Sequence, residues 1–310
     1  MSLETDLLLD RRRLKRRLFF WRGFAVLAVV AAVFAAFSFG RGGDDGGGEA
    51  HVARLSITGV ITDSRRLNER IVKLAKSNAV KAVIVAIDSP GGTVGGGESL
   101  HRAISTVADA KPVVVVMRGV AASAGYMIAM PANRIYAREA TITGSIGVIM
   151  QTAEFSGLMR TLGISAESIT SGPLKDQPSV TRPMSPEGRA VLQGLITDMY
   201  DMFVEMVVRG RKMEPATVRQ LADGRAYTGR QALKLGLIDA IGGEPEARAW
   251  LAEEKKISVT LPIRDVVTQT WSERVMEPEG ETLLGGIWKT LTSQRVTLDG
   301  AWAIWQPGRE

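Results

Sequence analysis

The 310 residues predict an α/β protein, with a parallel sheet and a helical layer, preceded by one N-terminal transmembrane helix. Three observations carry that expectation. Short apolar runs rich in Val and Ile alternate with segments of helical periodicity, the pattern of strands joined by crossover helices. Glycine and proline clusters punctuate the chain between those runs, as expected of the tight turns such crossovers need. And from Gly23 to Gly40 there is no charged residue at all.

Taken in order, residues 1–17 form a basic segment read as cytoplasmic. Residues 1–22 hold seven basic and three acidic side chains, a net +4 of the chain's +6, so the other 288 residues carry an ordinary +2. That distribution speaks against a nucleic-acid partner and for a membrane one. Residues 18–40, interrupted only by Arg22, approach the roughly 20 apolar residues that a membrane helix requires. The basic flank keeps the N-terminus in the cytoplasm and sends everything after Gly40 to the other side. A cleaved signal peptide is the alternative, since Ala35, Ala36 and Ser38 are small. An uncleaved anchor is favoured because no clean small-x-small site precedes a mature start. Residues 41–50 are a glycine-rich linker.

A soluble domain then spans 51–270. Strands are expected at 52–57, 81–87, 112–117, 134–136, 148–151 and 257–261. Helices are expected at 63–77, 98–110, 126–130, 155–162, 185–210, 214–222, 228–236 and from 243 to 254. Ser185-Pro186-Glu187 is a clear helix start, with an N-cap serine and a proline in the first turn. Turns are expected at Asp88–Gly92 and at Thr141–Gly147. In a parallel sheet, ligands sit at the carboxyl ends of strands, and both Asp88–Gly92 and Gly119–Gly125 lie at such ends. The tail 271–310 carries Trp271, Trp288, Trp302 and Trp305 and reads as a packing arm, an interface or a membrane-surface element.

Chemistry enters at Ser123, on the turn between the apolar run 112–117 and the segment that follows it. A serine hydroxyl is a weak nucleophile at neutral pH and needs a base within hydrogen-bond reach. The chain has no cysteine and only two histidines, His51 and His101, which removes thiol nucleophiles, thiolate zinc sites and multi-histidine metal sites. His51 sits at the linker junction and His101 within a helix, so both read as packing or surface residues. Neither G-x-S-x-G nor S-x-x-K occurs at Ser123. A lysine remains as a base. It serves when its environment lowers its pKa from ~10.4 towards 7–8. Eleven are present, and spacing alone does not choose among them; Lys175, in a Gly-Pro loop, reads on composition as a solvated loop lysine.

Five ordered blocks do choose. Asp88-Ser-Pro-Gly-Gly92, Val120-Ala-Ala-Ser-Ala-Gly-Tyr126, Thr141-Ile-Thr-Gly-Ser-Ile-Gly-Val-Ile149, Ser171-Gly-Pro-Leu-Lys-Asp176 and the stretch Asp223–Asp239 together resemble the signal peptide peptidase A family of membrane-anchored bacterial serine/lysine proteases. The resemblance covers about residues 52–243 and fits the short, single-domain form. It implies a crotonase/Clp-protease-like fold, Ser123 as nucleophile and Lys175 as general base. Ser145 would orient the lysine, and the N–H groups of Gly92 and Ala124 would form the oxyanion hole. It implies no metal and no cofactor, peptide substrates drawn from apolar segments such as signal peptides left after export, and a homo-oligomeric ring in which neighbouring protomers share the dyad. The location implied is the bacterial plasma (inner) membrane, single-pass, with the catalytic domain on the extracytoplasmic side. Two rival readings stand beside it. One is a quality-control protease for membrane proteins from the same superfamily. The other is a crotonase-type acyl-CoA enzyme using the Ser-Pro-Gly-Gly stretch without a nucleophile. A catalytically dead scaffold is the blandest possibility.

Overall fold

The structure is a computed structural model that describes residues 48–266, the strand Trp302–Ile304, and Trp21, Ala25, Leu27 and Ala28 near the N-terminus. Apart from those four helical positions, the expected span 18–40 lies outside the described residues. So do the basic segment 1–17, most of the linker and most of the tail. Among the described residues no helix is long and apolar enough to cross a membrane.

From Glu49 onwards the chain forms a compact unit built on a parallel-rich mixed sheet. Its strands are β1 (His51–Ile61), β2 (Val80–Thr93), β3 (Val113–Ala122), β4 (Arg134–Ala137), β5 (Ile142–Gly144), β6 (Ala226–Thr228), β7 (Ala240–Ile241), β8 (Ile263–Asp265) and β9 (Trp302–Ile304). The order is β6-β5-β3-β2-β1-β8, with β4 on β3, β7 on β4 and β9 on β2. Among the described strands, only β5–β6 and β2–β9 are antiparallel. β3 changes neighbours along its length: Val114–Met117 pair with β4, and Val120–Ala122 pair with β5. The alternation of side chains along β2 and β3 fills both faces. Val83, Val85, Ile87, Val113, Val115 and Met117 enter the larger core, packed with the helices Arg65–Lys76, Val94–Ala108 and Pro186–Arg211. Ile84, Val114, Val116 and Tyr136 enter the smaller one under the helix Glu244–Lys255. Strands buried on both faces read as unbroken apolar runs, which is why they were legible.

Several boundaries differ from the sequence expectation. Asp88–Gly92 is not a turn but the end of a 14-residue β2. Pro90 lacks an N–H for the ladder, and the Ser89 hydroxyl compensates locally by accepting from the Gly91 N–H at 3.1 Å. The next helix starts at Val94 rather than Glu98, with the Thr93 hydroxyl capping the Gly96 N–H at 3.1 Å. Its glycines are packing residues: a Cβ on Gly96 would lie 2.7 Å from the Thr62 carbonyl carbon, and one on Gly97 would lie 3.0 Å from the Ala124 Cβ. Thr141–Gly147 contains a strand, β5, instead of being all turn. The expected strand 148–151 is reduced to a single bridge residue, Ile149, which is 43% exposed. The strand expected at 257–261 forms instead at 263–265. There the Val52 N–H bonds the Pro262 carbonyl at 3.0 Å, and Arg54 grips Asp265 at 2.6 and 2.8 Å, so tertiary pairing sets the register against β1.

The helix Pro186–Arg211 matches its expected start, with the Ser185 hydroxyl accepting from the Gly188 N–H at 2.9 Å. It passes close to the segment following Ser123, where a Cβ on Gly210 would lie 2.6 Å from the Met130 carbonyl oxygen. His101, on the neighbouring helix, is depressed to a pKa of about 4, first by burial and then by Arg209 and Arg102. The unfolded chain takes up this proton near pH 6.5 and the folded chain only near 4, so acidification through that window favours unfolding. Replacing His101 with Gln therefore lessens the fall in thermal midpoint between pH 7.5 and pH 4.5. An unchanged fall would place the acid sensitivity elsewhere.

Candidate active site

β3 ends at Ala122, and Ser123 begins a single helical turn, Ala124–Met127, rather than the expected helix 126–130. Ser123 has φ 55° and ψ −120°, a backbone conformation that costs a non-glycine residue on the order of 1–3 kcal/mol. What holds it there is visible. The Ser123 N–H donates to the Gly144 carbonyl at 2.8 Å, and its own carbonyl accepts from Tyr126 and Met127, each at 2.9 Å. Tyr126, fully buried, donates its hydroxyl to the Leu237 carbonyl at 2.7 Å, tying the turn to the stretch 223–239. Burial raises that phenol well above its ordinary pKa, so it stays a donor. Asp239 in turn accepts from the Ile135 N–H at 2.7 Å and from both guanidinium nitrogens of Arg211, at 2.7 and 3.1 Å.

The side chain so presented is 1% exposed, and the Ser123 Oγ has no hydrogen-bond partner among the described residues. Neither histidine reaches it. His51 bonds through Nδ1 with the Glu49 carbonyl at 2.9 Å, and His101 lies in the helix Val94–Ala108.

Ser145 is brought to the serine. Ala122 pairs with Gly144 in the β3–β5 register, so Ser145 stands one step beyond, beside Ser123 at the carboxyl ends of neighbouring parallel strands. Adjacent strands lie ~4.8 Å apart. Ser145 also has a positive φ, 48°, with its N–H donated to the Arg225 carbonyl at 2.9 Å. Gly144 between them has φ 76°, and a Cβ there would lie 2.6 Å from the Tyr227 ring. Gly92 lies in the last residues of β2, where a Cβ would stand 1.8 Å from the Ile61 carbonyl oxygen, so close backbone packing alone demands glycine. Ala124 is fully buried as the first residue of the helical turn, a position whose N–H has no acceptor within the helix.

Lys175 makes no hydrogen bond to the Ser123 hydroxyl. It lies exposed in the loop 171–176, its N–H bonded to the Gly172 carbonyl at 3.1 Å, and no lysine bonds the Ser123 hydroxyl. Asp176, its neighbour, is turned to Arg182, which holds the carboxyl below its usual range. Among the described lysines, Lys111 has a pKa lowered by burial, with Lys81 adding to the effect. Its ammonium donates to the Val80 and Ser77 carbonyls at the amino end of β2, beside the start of β3, whereas Ser123 follows the carboxyl end of β3, a strand length of roughly 30 Å away.

Three residues escaped the sequence reading. The Asp88 carboxylate accepts from the Val120 N–H at 3.0 Å, just where the β2–β3 register shifts. The Thr143 hydroxyl, fully buried, donates to the Ala121 carbonyl at 2.8 Å, and the Thr141 hydroxyl donates to the Arg118 carbonyl. All three staple the last turn of β3. The signal was present as an acid and two threonines within otherwise apolar blocks, but their bonding partners are 22–32 residues away.

A profile of peptidase family S49 matches residues 105–258, a span that holds Ser123, Ser145 and Lys175 and begins after Gly92. A sequence from Synechocystis sp. assigned as a protease is 40% identical over 202 residues, which are 65% of this chain and 73% of that one. A sequence from Enterococcus faecium assigned as signal peptide peptidase SppA is 34% identical over 229 residues, 69% of this chain and 67% of that one. Among solved structures, a mutant of a membrane-bound stomatin-specific protease aligns over 72% of this chain and all of its own, at 18% identity and a TM-score of 0.49.

Gly144→Ala tests the hold on the serine. Strain at a positive φ and the overlap with Tyr227 are expected to cost on the order of 1–3 kcal/mol in denaturant melts. Hydrolysis of an apolar fluorogenic peptide should fall at least as far as stability predicts. A variant as stable and active as the parent would show that the Gly144 conformation is not required.

Proposed function

From the premise that the chain belongs to peptidase family S49 and is a serine peptidase, we propose that it is a membrane-anchored endopeptidase using Ser123 and Lys175 on apolar peptide segments. The observation that carries the reading is the Ser123 hydroxyl: buried, on a strained backbone, and without a hydrogen-bond partner among the described residues. A buried polar group left unpaired is uncommon and costs free energy, which a reactive role accounts for.

In this reading Ser123 Oγ attacks the scissile carbonyl while the Lys175 amine takes the hydroxyl proton. The oxyanion of the tetrahedral intermediate rests on the N–H groups of Gly92 and Ala124, each such donor being worth about 3–4 kcal/mol of barrier. Collapse releases the amine, protonated by the lysine, and leaves an acyl-enzyme on Ser123. Water, deprotonated by the same lysine, then frees the acid. Ser145, beside the nucleophile one step past the Ala122–Gly144 pair, orients the lysine.

The base comes from a neighbouring protomer. Exposed Lys175 and the unpaired Ser123 support that arrangement, as does the apolar surface around the lysine loop: Phe155 is 52% exposed, Leu158 59%, Leu162 64%, Ile164 51% and Ile169 96%. Apolar exposure on that scale favours burial against another copy. A ring of such chains, tethered by residues 18–40 to the bacterial plasma membrane with the catalytic domain outside, suits substrates that begin as apolar segments in the bilayer, remnant signal peptides first among them. Quality control of membrane proteins is the alternative duty, separable by substrate profiling.

Ser123→Ala and Lys175→Ala should each abolish hydrolysis of an apolar peptide, and Lys175→Arg should be as inactive as Lys175→Ala because arginine does not surrender its proton. Co-assembling the Ser123→Ala and Lys175→Ala chains should restore activity, since some interfaces then hold an intact pair. Full activity in Lys175→Arg would remove lysine as the base, and no recovery on co-assembly would put both residues in one chain.

A further inference from the structure

Residues 163–184 form neither helix nor strand, yet they carry Lys175. A group that takes a proton in the transition state must be held to within a fraction of an ångström, so this arm needs a fixed point. Several of its bonds join it to itself. The Phe155 N–H donates to the Val180 carbonyl at 2.8 Å, the Lys175 N–H to the Gly172 carbonyl at 3.1 Å, and the Arg182 guanidinium to the Asp176 carboxylate. Such bonds shape the arm without fastening it to the core.

Gln177 supplies a fastening. Two residues after the lysine, its side chain lies against Gly188, in the first turn of the helix Pro186–Arg211. A Cβ on Gly188 would lie 2.7 Å from the Gln177 Oε1 and 2.8 Å from its Cδ and its Cγ. The amide therefore fills the space in which a side chain at 188 would stand. Gly188 follows the Ser185 cap by three, a position where a glutamate or glutamine ordinarily reaches back to complete a capping box. Glycine is a poor helix former, and here its use is to admit a glutamine from the arm. The Gln177 Oε1 is buried without a hydrogen-bond partner among the described residues, so the contact is one of packing. The helix that provides the seat is itself fixed, through Phe203, Val204, Met206 and Val207 in the larger core.

We propose that Gln177 and Gly188 are positioning residues, a seat that holds the Lys175 loop on the long helix and sets where the lysine is presented. The seat rests on the packing at Gly188. Its catalytic meaning rests on the reading of Lys175 as the base.

The test uses the full-length chain and separates the two. Gly188→Ala keeps the N–H that the Ser185 hydroxyl accepts and favours the helix, so the fold survives while the methyl expels Gln177. Amide exchange at Lys175, read by fragment-resolved mass spectrometry, should speed up about tenfold in Gly188→Ala and in Gln177→Ala, with exchange in β3 unchanged. On an apolar fluorogenic peptide both variants should lose kcat by roughly ten- to a hundredfold at unchanged KM, the scale of a misplaced catalytic group. Gln177→Met, which fills similar space without an amide, should keep kcat within about threefold of the parent. Unchanged Lys175 exchange or unchanged kcat in Gly188→Ala would overturn the proposal, as would a Gln177→Met chain as impaired as Gln177→Ala. Faster exchange in a protein whose Lys175→Ala variant stays fully active would uphold the seat and instead defeat Lys175 as the base.

Discussion

The bond from the Ser123 N–H to the Gly144 carbonyl is the constraint on which the site depends. It fixes the end of β3 against β5, and three consequences follow from that one alignment. The serine is held in a positive-φ turn, its hydroxyl has no partner among the described residues, and Ser145 is delivered next to it. The surrounding structure over-determines the geometry, as strain at a functional position requires. Asp88, Thr141 and Thr143 hold the preceding backbone, Tyr126 anchors the following turn through Leu237, and the Tyr227 ring closes against Gly144.

Polarity is distributed unevenly around this centre. Charged pairs such as Arg211–Asp239 are spent on joining the stretch 223–239 to the sheet, not on the serine. The exposed arm that bears Lys175 is rich in apolar side chains. In the proposed mechanism, the buried serine and the lysine displayed on that apolar arm are two halves that association of chains would bring together. Family membership also sets aside the acyl-CoA and inert-scaffold readings, both of which lacked a use for a strained, unpaired serine.

Much of the fold was legible because β2 and β3 are buried on both faces and write themselves as unbroken runs of Val, Ile and Ala. Helix starts with capping residues, as at Ser185, were equally plain. Errors fell where tertiary contacts override local pattern. Asp88–Gly92 was read as a turn because the pairing of Gly91 and Gly92 is with Val60 and Ile61, far upstream in β1. The helix was expected to begin only at Glu98, though Gly96 and Gly97 let its first turn approach Thr62 and Ala124. Of the candidate site, Ser123 was visible from its strand-to-turn setting and from elimination of other nucleophiles. Ser145 and Lys175 were not visible from spacing. Ser145 needs the β3–β5 register, and the resemblance alone picked Lys175 out of eleven lysines. The pairing of the tail with Gly91–Thr93 had no local signature, since Trp-Ala-Ile becomes a strand only where β3 leaves an edge open.

The central claim is that Ser123 is a nucleophile awaiting a lysine. Labelling with a fluorophosphonate, followed by peptide mass mapping, addresses it directly. The account predicts one adduct, on the peptide containing Ser123, with labelling slowed at least a hundredfold in Lys175→Ala, the low end of what general base catalysis contributes. An adduct on any other residue, or labelling of Ser123 at an undiminished rate without Lys175, would contradict it.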